Sequence, residues 1–302
     1  MAKDNNKRSD LEVRGMTLKK VLLLAVCFVF IASVPVMAKS FDLVLLHGLT
    51  NKHAWSDSFL NTVAATWGSG NVYVIYTNES TRVWIRSING RTIYFCGEND
   101  FSAGDDYIWT QASLMRTKIV KLQQYYGLSA KFNVIAHSMG GLVTRYYAWQ
   151  YPYTVAGLVT LGTPHHGSSL ANTADFLFLD WFLGAQQAME HLKPYWVKNT
   201  FNKTLAPIMT TPLADGQKLW TIVGDADGWD CWGWGGELFA GWPILGTLEG
   251  DNDGLVSHQS AMLSGIDNHN GDANTLAFFW SYDHYDVVRE SSVATKAASV
   301  LR

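Results

Sequence analysis

Phe132 to Gln150 reads FNVIAHSMGGLVTRYYAWQ, and its composition changes abruptly at Ser138. Phe132 to Ala136 is the short apolar run of a buried parallel strand. After the serine, Leu142, Val143, Tyr146, Tyr147 and Trp149 follow a helical rhythm with no Gly or Pro to stop it. Strand therefore passes to helix with almost no loop. Small residues two before and two after the serine, Ala136 and Gly140, complete the pattern of a nucleophile elbow. Such a turn lifts the hydroxyl above the sheet edge and aims a helix N-terminus at it. The plainer alternative is a serine that only starts a helix. A nucleophilic serine needs a base, an acid to orient it and donors for an oxyanion. Leu45-Leu46-His47-Gly48-Leu49 ends the first apolar run, where the N–H of Leu49 can face the site, and the N–H of Met139 supplies the second donor. The competing reading of His47-Gly48 is a strand-ending turn. In the order serine, acid, histidine, Asp253 in GDNDGLVS is the expected acid and His284 in YDHYD the expected base. Asp225 and Asp227 compete for the acid, and His258 and His269 for the base.

These groups need a scaffold, and the chain supplies one. Short apolar runs at Leu43–Leu46, Val72–Tyr76, Val134–Ala136, Val155–Leu161 and Leu219–Val223 alternate with helical segments. One of these, Ala112–Tyr126, is amphipathic. That alternation predicts a mostly parallel sheet covered on both faces, an α/β architecture in one domain. Two segments do not fit it. Thr81–Tyr107 is long and rich in Gly and Asp, and Ala174–Trp196 is apolar all round. The second reads as a buried helix or as a mobile lid over an apolar cleft.

The chain has 302 residues, 48% of them hydrophobic, and a formal net charge of -3, so nothing basic invites nucleic acid. Val21–Met37 carries no charge, follows Lys19-Lys20 and ends in Val-Met-Ala, the pattern of a secretory signal over residues 1–38. A membrane anchor is the alternative, although the run is short and contains Pro35. Met16 offers a second start that gives a more usual signal length. Residues 1–38 hold six Lys/Arg against three Asp/Glu, so the mature portion, 39–302, is the more acidic part. The expected location is extracellular or periplasmic. Cys96 and Cys231 would then remain, and in an exported protein they invite a disulfide worth roughly 4–5 kcal/mol if unstrained; two independent thiols are the alternative. Four tryptophans between Trp229 and Trp242 suit an acyl-chain wall, an interface-seeking surface or loop packing around Cys231. Asn78-Glu79-Ser80 and Asn202-Lys203-Thr204 are sequons, which matter only in a glycosylating host.

Taken together, LHGL at 46–49, AHSMGG at 136–141, GTPHHGS at 162–168, NDGLV at 252–256 and DHYD at 283–286 resemble the secreted bacterial triacylglycerol lipases of the α/β-hydrolase fold. The resemblance implies that fold, a helical lid near 170–200, and ester hydrolysis by Ser138, Asp253 and His284 through an acyl-enzyme. It implies a lipid ester at an oil–water interface as substrate, and it leaves a folding chaperone open as a protein partner. It also implies a structural calcium held by Asp286, two residues past the base, and by Asp230, with Asp227 as the next match, and with Glu290 where the family often has glutamine. Several oxygen ligands suit calcium; a solvated acidic helix start is the other reading of Asp286 and Glu290. No organic cofactor is expected. A short-chain or polyester esterase on the same scaffold is the nearest alternative, and a non-catalytic binding protein of the same fold the more distant one.

Overall fold

The strand β1 (Asp42–Leu46) lies near the middle of an eight-stranded sheet, and its last four residues are fully buried. Apolar side chains on both faces of a strand require cover on both faces, and the sheet has it. The computed structural model describes residues 39–51, 55–68, 70–177, 185–228, 236–264 and 272–302. Along the chain follow α1 (Asp57–Trp67), β2 (Val72–Ile75), β3 (Val83–Ile88), β4 (Arg91–Cys96) and α2 (Ile108–Tyr125). Then come β5 (Phe132–His137), α3 (Met139–Gln150), β6 (Val155–Leu161), α4 (Leu170–Leu177), α5 (Gln186–Glu190) and a π-helical stretch, Val197–Leu205. The rest is β7 (Leu219–Asp225), α6 (Gly236–Leu248), α7 (His258–Ala261), β8 (Thr275–Trp280) and α8 (Ser291–Ser299).

The sheet order is β3-β4-β2-β1-β5-β6-β7-β8, with β3 and β4 antiparallel and every other neighbouring pair parallel. Strand alternation divides the core. Val44 and Leu46 pack with Met115, Ile119, Leu142 and Val143 of α2 and α3. Leu43 and Leu45 face the other way, onto Phe59, Val63 and Trp67 of α1 and Val293 and Ala297 of α8. From β1 the chain runs to β2 on one side and later returns through β5 on the other. The carboxyl ends of β1 and β5 therefore flank the point where strand order reverses, the usual place for a site in an open α/β sheet.

The long Thr81–Tyr107 segment contains a hairpin: β3 and β4 extend the sheet, closed by Asn89-Gly90, both at positive φ. Cys96 is a free, buried thiol at the end of β4, its Sγ 3.9 Å from the Thr81 carbonyl. Cys231, the other half of the expected pair, lies outside the described residues, as do residues 1–38, Asp230 and His269. Both sequon asparagines are engaged: Asn78 Nδ2 donates to Glu98 O, and Asn202 links Arg145 to the His165 carbonyl. Among the described residues no helix is long and apolar enough to cross a membrane.

Candidate active site

Ser138 joins β5 to α3 with φ 52° and ψ −131°, a conformation a non-glycine residue holds only when its surroundings enforce it. They do so through three hydrogen bonds. Ser138 N–H donates to Leu161 O (2.8 Å), and Ser138 O accepts from Gly141 N–H (3.0 Å) and Thr163 Oγ1 (2.8 Å). The small neighbours are steric requirements. A Cβ on Gly140 would strike the His47 carbonyl oxygen, and one on Gly48 would lie 2.7 Å from Ser138 Cβ.

His284 Nε2 lies 2.9 Å from Ser138 Oγ, and His284 Nδ1 lies 2.8 Å from Asp253 Oδ2. With Nδ1–H donating to the carboxylate, Nε2 is left to accept the serine proton. Asp253 is fully buried, and its other oxygen accepts the N–H groups of Leu255 (3.0 Å) and Val256 (2.8 Å). Each oxygen of this buried carboxylate thus has at least one hydrogen-bond donor. The structure thus brings Ser138, His284 and Asp253 into one hydrogen-bonded line. Two of the competing groups pair with each other instead: His258 Nε2 lies 3.1 Å from Asp225 Oδ1. Asp227 is exposed.

Gly162, at the end of β6, is a residue that sequence reasoning passed over. Its φ is 52°, and a Cβ there would sit 2.9 Å from Asp253 Oδ2 and 3.1 Å from His284 Nδ1. The acid–base hydrogen bond lies directly above its Cα. In the sequence it closes an apolar run and opens the GTPHHGS stretch, neither of which gives it a role beside the acid and base.

The main chain at Leu49, the expected first oxyanion donor, is set by His47. Thr77 N–H donates to His47 Nε2 (2.9 Å), so the ring proton is on Nδ1, which donates to Gly48 O (2.7 Å). Burial, with a smaller contribution from Lys118, pulls the His47 pKa down to about 4, so the ring is neutral. Fixing the Gly48 carbonyl fixes its peptide, and the Leu49 N–H of that trans unit points the opposite way. Met139 is the first residue of α3, and its N–H has no carbonyl one turn back. Leu49 and Ser138 share a cavity of about 50 Å³, walled by Leu170, Ala171, Met189, Leu192, Leu255 and Val256. Leu170 and Ala171 come from α4, while Met189 lies in α5 and Leu192 just after it. Residues from both ends of the stretch expected as a lid therefore line the pocket. Residues 178–184 between them lie outside the described residues.

Around Asp286 the oxygens are partly used. Asp286 Oδ2 accepts Asp283 N–H (3.1 Å), and Asp283 Oδ1 accepts Tyr285 N–H (2.7 Å) and Asp286 N–H (2.9 Å). Asp283 Oδ2 is buried with no hydrogen-bond partner. Burial, and then the neighbouring Asp286, push the Asp283 carboxyl up to about 6; burial also raises that of Asp286. Glu290 is exposed and starts α8 without a side-chain cap. Among the described residues no group of three or more His, Cys, Asp or Glu side chains could hold a metal. The orphaned Asp283 oxygen beside Asp286 nonetheless suits an oxygen-seeking cation.

A family model described as the alpha/beta hydrolase fold matches residues 43–218. Over 136 residues the chain is 28% identical to a triacylglycerol lipase of Pseudarthrobacter phenanthrenivorans and to another of Burkholderia plantarii. Those stretches cover 45% of this chain but only 36% and 32% of the two relatives, well short of their whole length. Among solved structures, the mature form of a lipase from Bacillus licheniformis is similar, with a TM-score of 0.54, 24% identity, and coverage of 83% of this chain and 87% of that one. A metagenomic carboxyl esterase gives a TM-score of 0.52 at 16% identity, over 88% of this chain and 76% of the other. At such identities the likeness is one of fold. The family match spans more than half of the chain, and the sheet has the parallel order that the family builds its site upon; the chain belongs to the α/β-hydrolase fold family.

Proposed function

We propose that this chain is a serine carboxylester hydrolase acting on lipid esters, with triacylglycerol as the leading substrate. The observation that carries the reading is the continuous line Ser138 Oγ, His284 Nε2, His284 Nδ1, Asp253 Oδ2, with links of 2.9 and 2.8 Å at the floor of an apolar cavity. As Ser138 Oγ bonds to the ester carbonyl carbon, its proton passes to His284 Nε2, and Asp253 stabilises the imidazolium. The carbonyl oxygen, now an anion, lies between the N–H groups of Leu49 and Met139. Collapse of this adduct breaks the bond to the alcohol, which leaves with the proton from Nε2. Water then gives a proton to Nε2 and its oxygen to the acyl carbon, and the carboxylic acid departs as Ser138 is restored.

The apolar wall supports an acyl chain, and the named activities of the two curated relatives support a triacylglycerol substrate. A second reading, a short-chain esterase, is favoured by the small volume of that cavity, about 50 Å³. Residues 1–38 act in this proposal as an export signal. Calcium completes the proposal as a structural ion: Asp286 and Asp283, with Asp230 and Glu290 as further candidates, would hold it. Bound there, it would neutralise the paired carboxylates and brace the loop of the base.

The test is hydrolysis of emulsified long-chain triglyceride beside a soluble p-nitrophenyl ester series, for the wild type and Ser138→Ala. Ser138→Ala should lower turnover by roughly 10⁶-fold while the protein stays folded. Turnover of short esters alone would establish the esterase, and unchanged turnover by Ser138→Ala would remove the serine mechanism.

A further inference from the structure

His284 is held at both of its main-chain polar groups. Its N–H donates to Asp253 O (2.8 Å), and its carbonyl lies 2.9 Å from His137 Nε2. A carbonyl only accepts, so His137 carries its proton on Nε2 and donates it. His137 is buried, and its ring centroid is 4.6 Å from that of His284 at an interplanar angle of 46°. This bond has an unusual place in the fold. His284 stands on the loop after β8, at the far edge of the sheet, with β6 and β7 between that strand and the nucleophile's strand β5. The acid's loop and the base's loop are tied to each other, through the Asp253 side chain and through its carbonyl. His137 is the last residue of β5 and the covalent neighbour of Ser138. Its hydrogen bond ties the base directly to the strand that carries the nucleophile.

We propose that His137 is a positioning residue: its Nε2–H, bonded to the His284 carbonyl, sets the distance between Ser138 Oγ and His284 Nε2. It touches none of the transferring protons. Its effect comes through the main chain of the base, where a displacement of about 1 Å is worth on the order of 10²-fold in rate. An alternative role for the ring is pure packing against His284. The two roles separate by chemistry, because glutamine places an amide N–H₂ as far from Cα as Nε2. Asparagine reaches only as far as Nδ1, and phenylalanine fills the ring space with no donor.

The inference rests on the serine-hydrolase reading, so Ser138→Ala runs beside every variant as the control for that reading. The experiment compares kcat and KM on one soluble ester for His137→Gln, His137→Asn and His137→Phe, each checked for folding by its thermal melt. Asn and Phe should lose roughly 10–100-fold in kcat with KM within about twofold, and Gln should recover most of the loss. Loss with Gln as large as with Asn would overturn the donor role, as would Phe at wild-type kcat. A loss expressed in KM alone would also overturn it. Activity surviving in Ser138→Ala would instead overturn the mechanism beneath it.

Discussion

At the scale of single residues, the hydrogen-bonded line rests on groups that do no chemistry themselves. Gly162 shows this most directly, since its missing side chain is the space the Asp253–His284 bond occupies. Gly162→Ala must place a Cβ 2.9 Å from the acid's oxygen and hold alanine at φ 52°, a left-handed geometry costing about 1–2 kcal/mol. We expect kcat to fall on the order of 10²-fold with a lowered melt. Unchanged steady-state kinetics would show that the pair tolerates the methyl. Asp253→Asn tests the acid from the other side. With the amide in place of the carboxylate, the imidazole is favoured in the wrong tautomer, and kcat should fall roughly 10⁴-fold with little change in KM. If Asp225→Asn shows that loss instead, the acid is at the end of β7. That Ser138, Asp253 and His284 meet was legible because the elbow pattern and the chain order restrict the candidates. Asp225 and His258 were equally plausible by type, and only tertiary contact pairs them with each other. Gly162, Thr163 and His137 lie inside the GTPHHGS and AHSMGG stretches, but their individual roles were not legible, because these depend on what crosses over them from elsewhere in the chain.

At the scale of elements, the apolar cavity wall comes from α4, α5 and the turn after Asp253, so under the proposed function substrate range would be set by these segments. Leu192 is buried and lines the cavity. Leu192→Ala should enlarge it and shift kcat/KM toward longer acyl chains by roughly tenfold, read from a p-nitrophenyl ester series. A uniform change at every chain length would mean that the wall lies elsewhere. The loop between β8 and α8 carries both His284, the proposed base, and Asp286, so a cation bound there would act on stability before activity. A ligand bound only by the native state stabilises by RT ln(1 + [L]/Kd), roughly 2.7 kcal/mol at a hundredfold excess over Kd. At roughly 2–4 °C per kcal/mol, calcium should raise the melting temperature by several degrees over chelator, and Asp286→Ala should abolish the difference. A melt indifferent to chelator, with no metal by elemental analysis, would leave the carboxylates as turn formers. The internal strands and the helix α2 were legible from apolar runs and helical rhythm. The hairpin β3–β4 was not, because its polar, half-exposed alternation sits inside a Gly- and Asp-rich segment. Nor was β8, whose apolar run gave no sign that it closes the sheet.

At the scale of the whole molecule, several histidines are buried as neutral rings, and that ties stability to pH. His47 and His191 are each pulled down to about 4, chiefly by burial, and His165 is lowered well below its usual value by burial and then Arg145. The sequence shows nine histidines but not which of them lose their water, because desolvation is decided only when the sheet and its loops close over them. In the unfolded chain such a ring takes up a proton near pH 6.5; in the native protein it does not until about pH 4. The unfolded state therefore binds more protons across this window. Stability is fully present above pH 6.5 and falls as pH drops toward 4. For His47 alone the loss amounts to about 3 kcal/mol, since one pKa unit corresponds to 1.36 kcal/mol. A single variant isolates that contribution. In His47→Asn, the amide reaches the position of Nδ1 and can still donate to the Gly48 carbonyl, but it does not titrate. The measurement is unfolding free energy from urea titrations at pH 7 and at pH 4, for the wild type and for His47→Asn. The variant is expected to be the less stable protein at pH 7, having lost the acceptor for Thr77 N–H. Its loss on going to pH 4 should be smaller than the wild type's by up to about 3 kcal/mol. Parallel pH dependences in the two proteins would mean that His47 is protonated as readily in the native state as in the unfolded chain. The neutral ring that fixes the Gly48–Leu49 peptide would then be wrong as well.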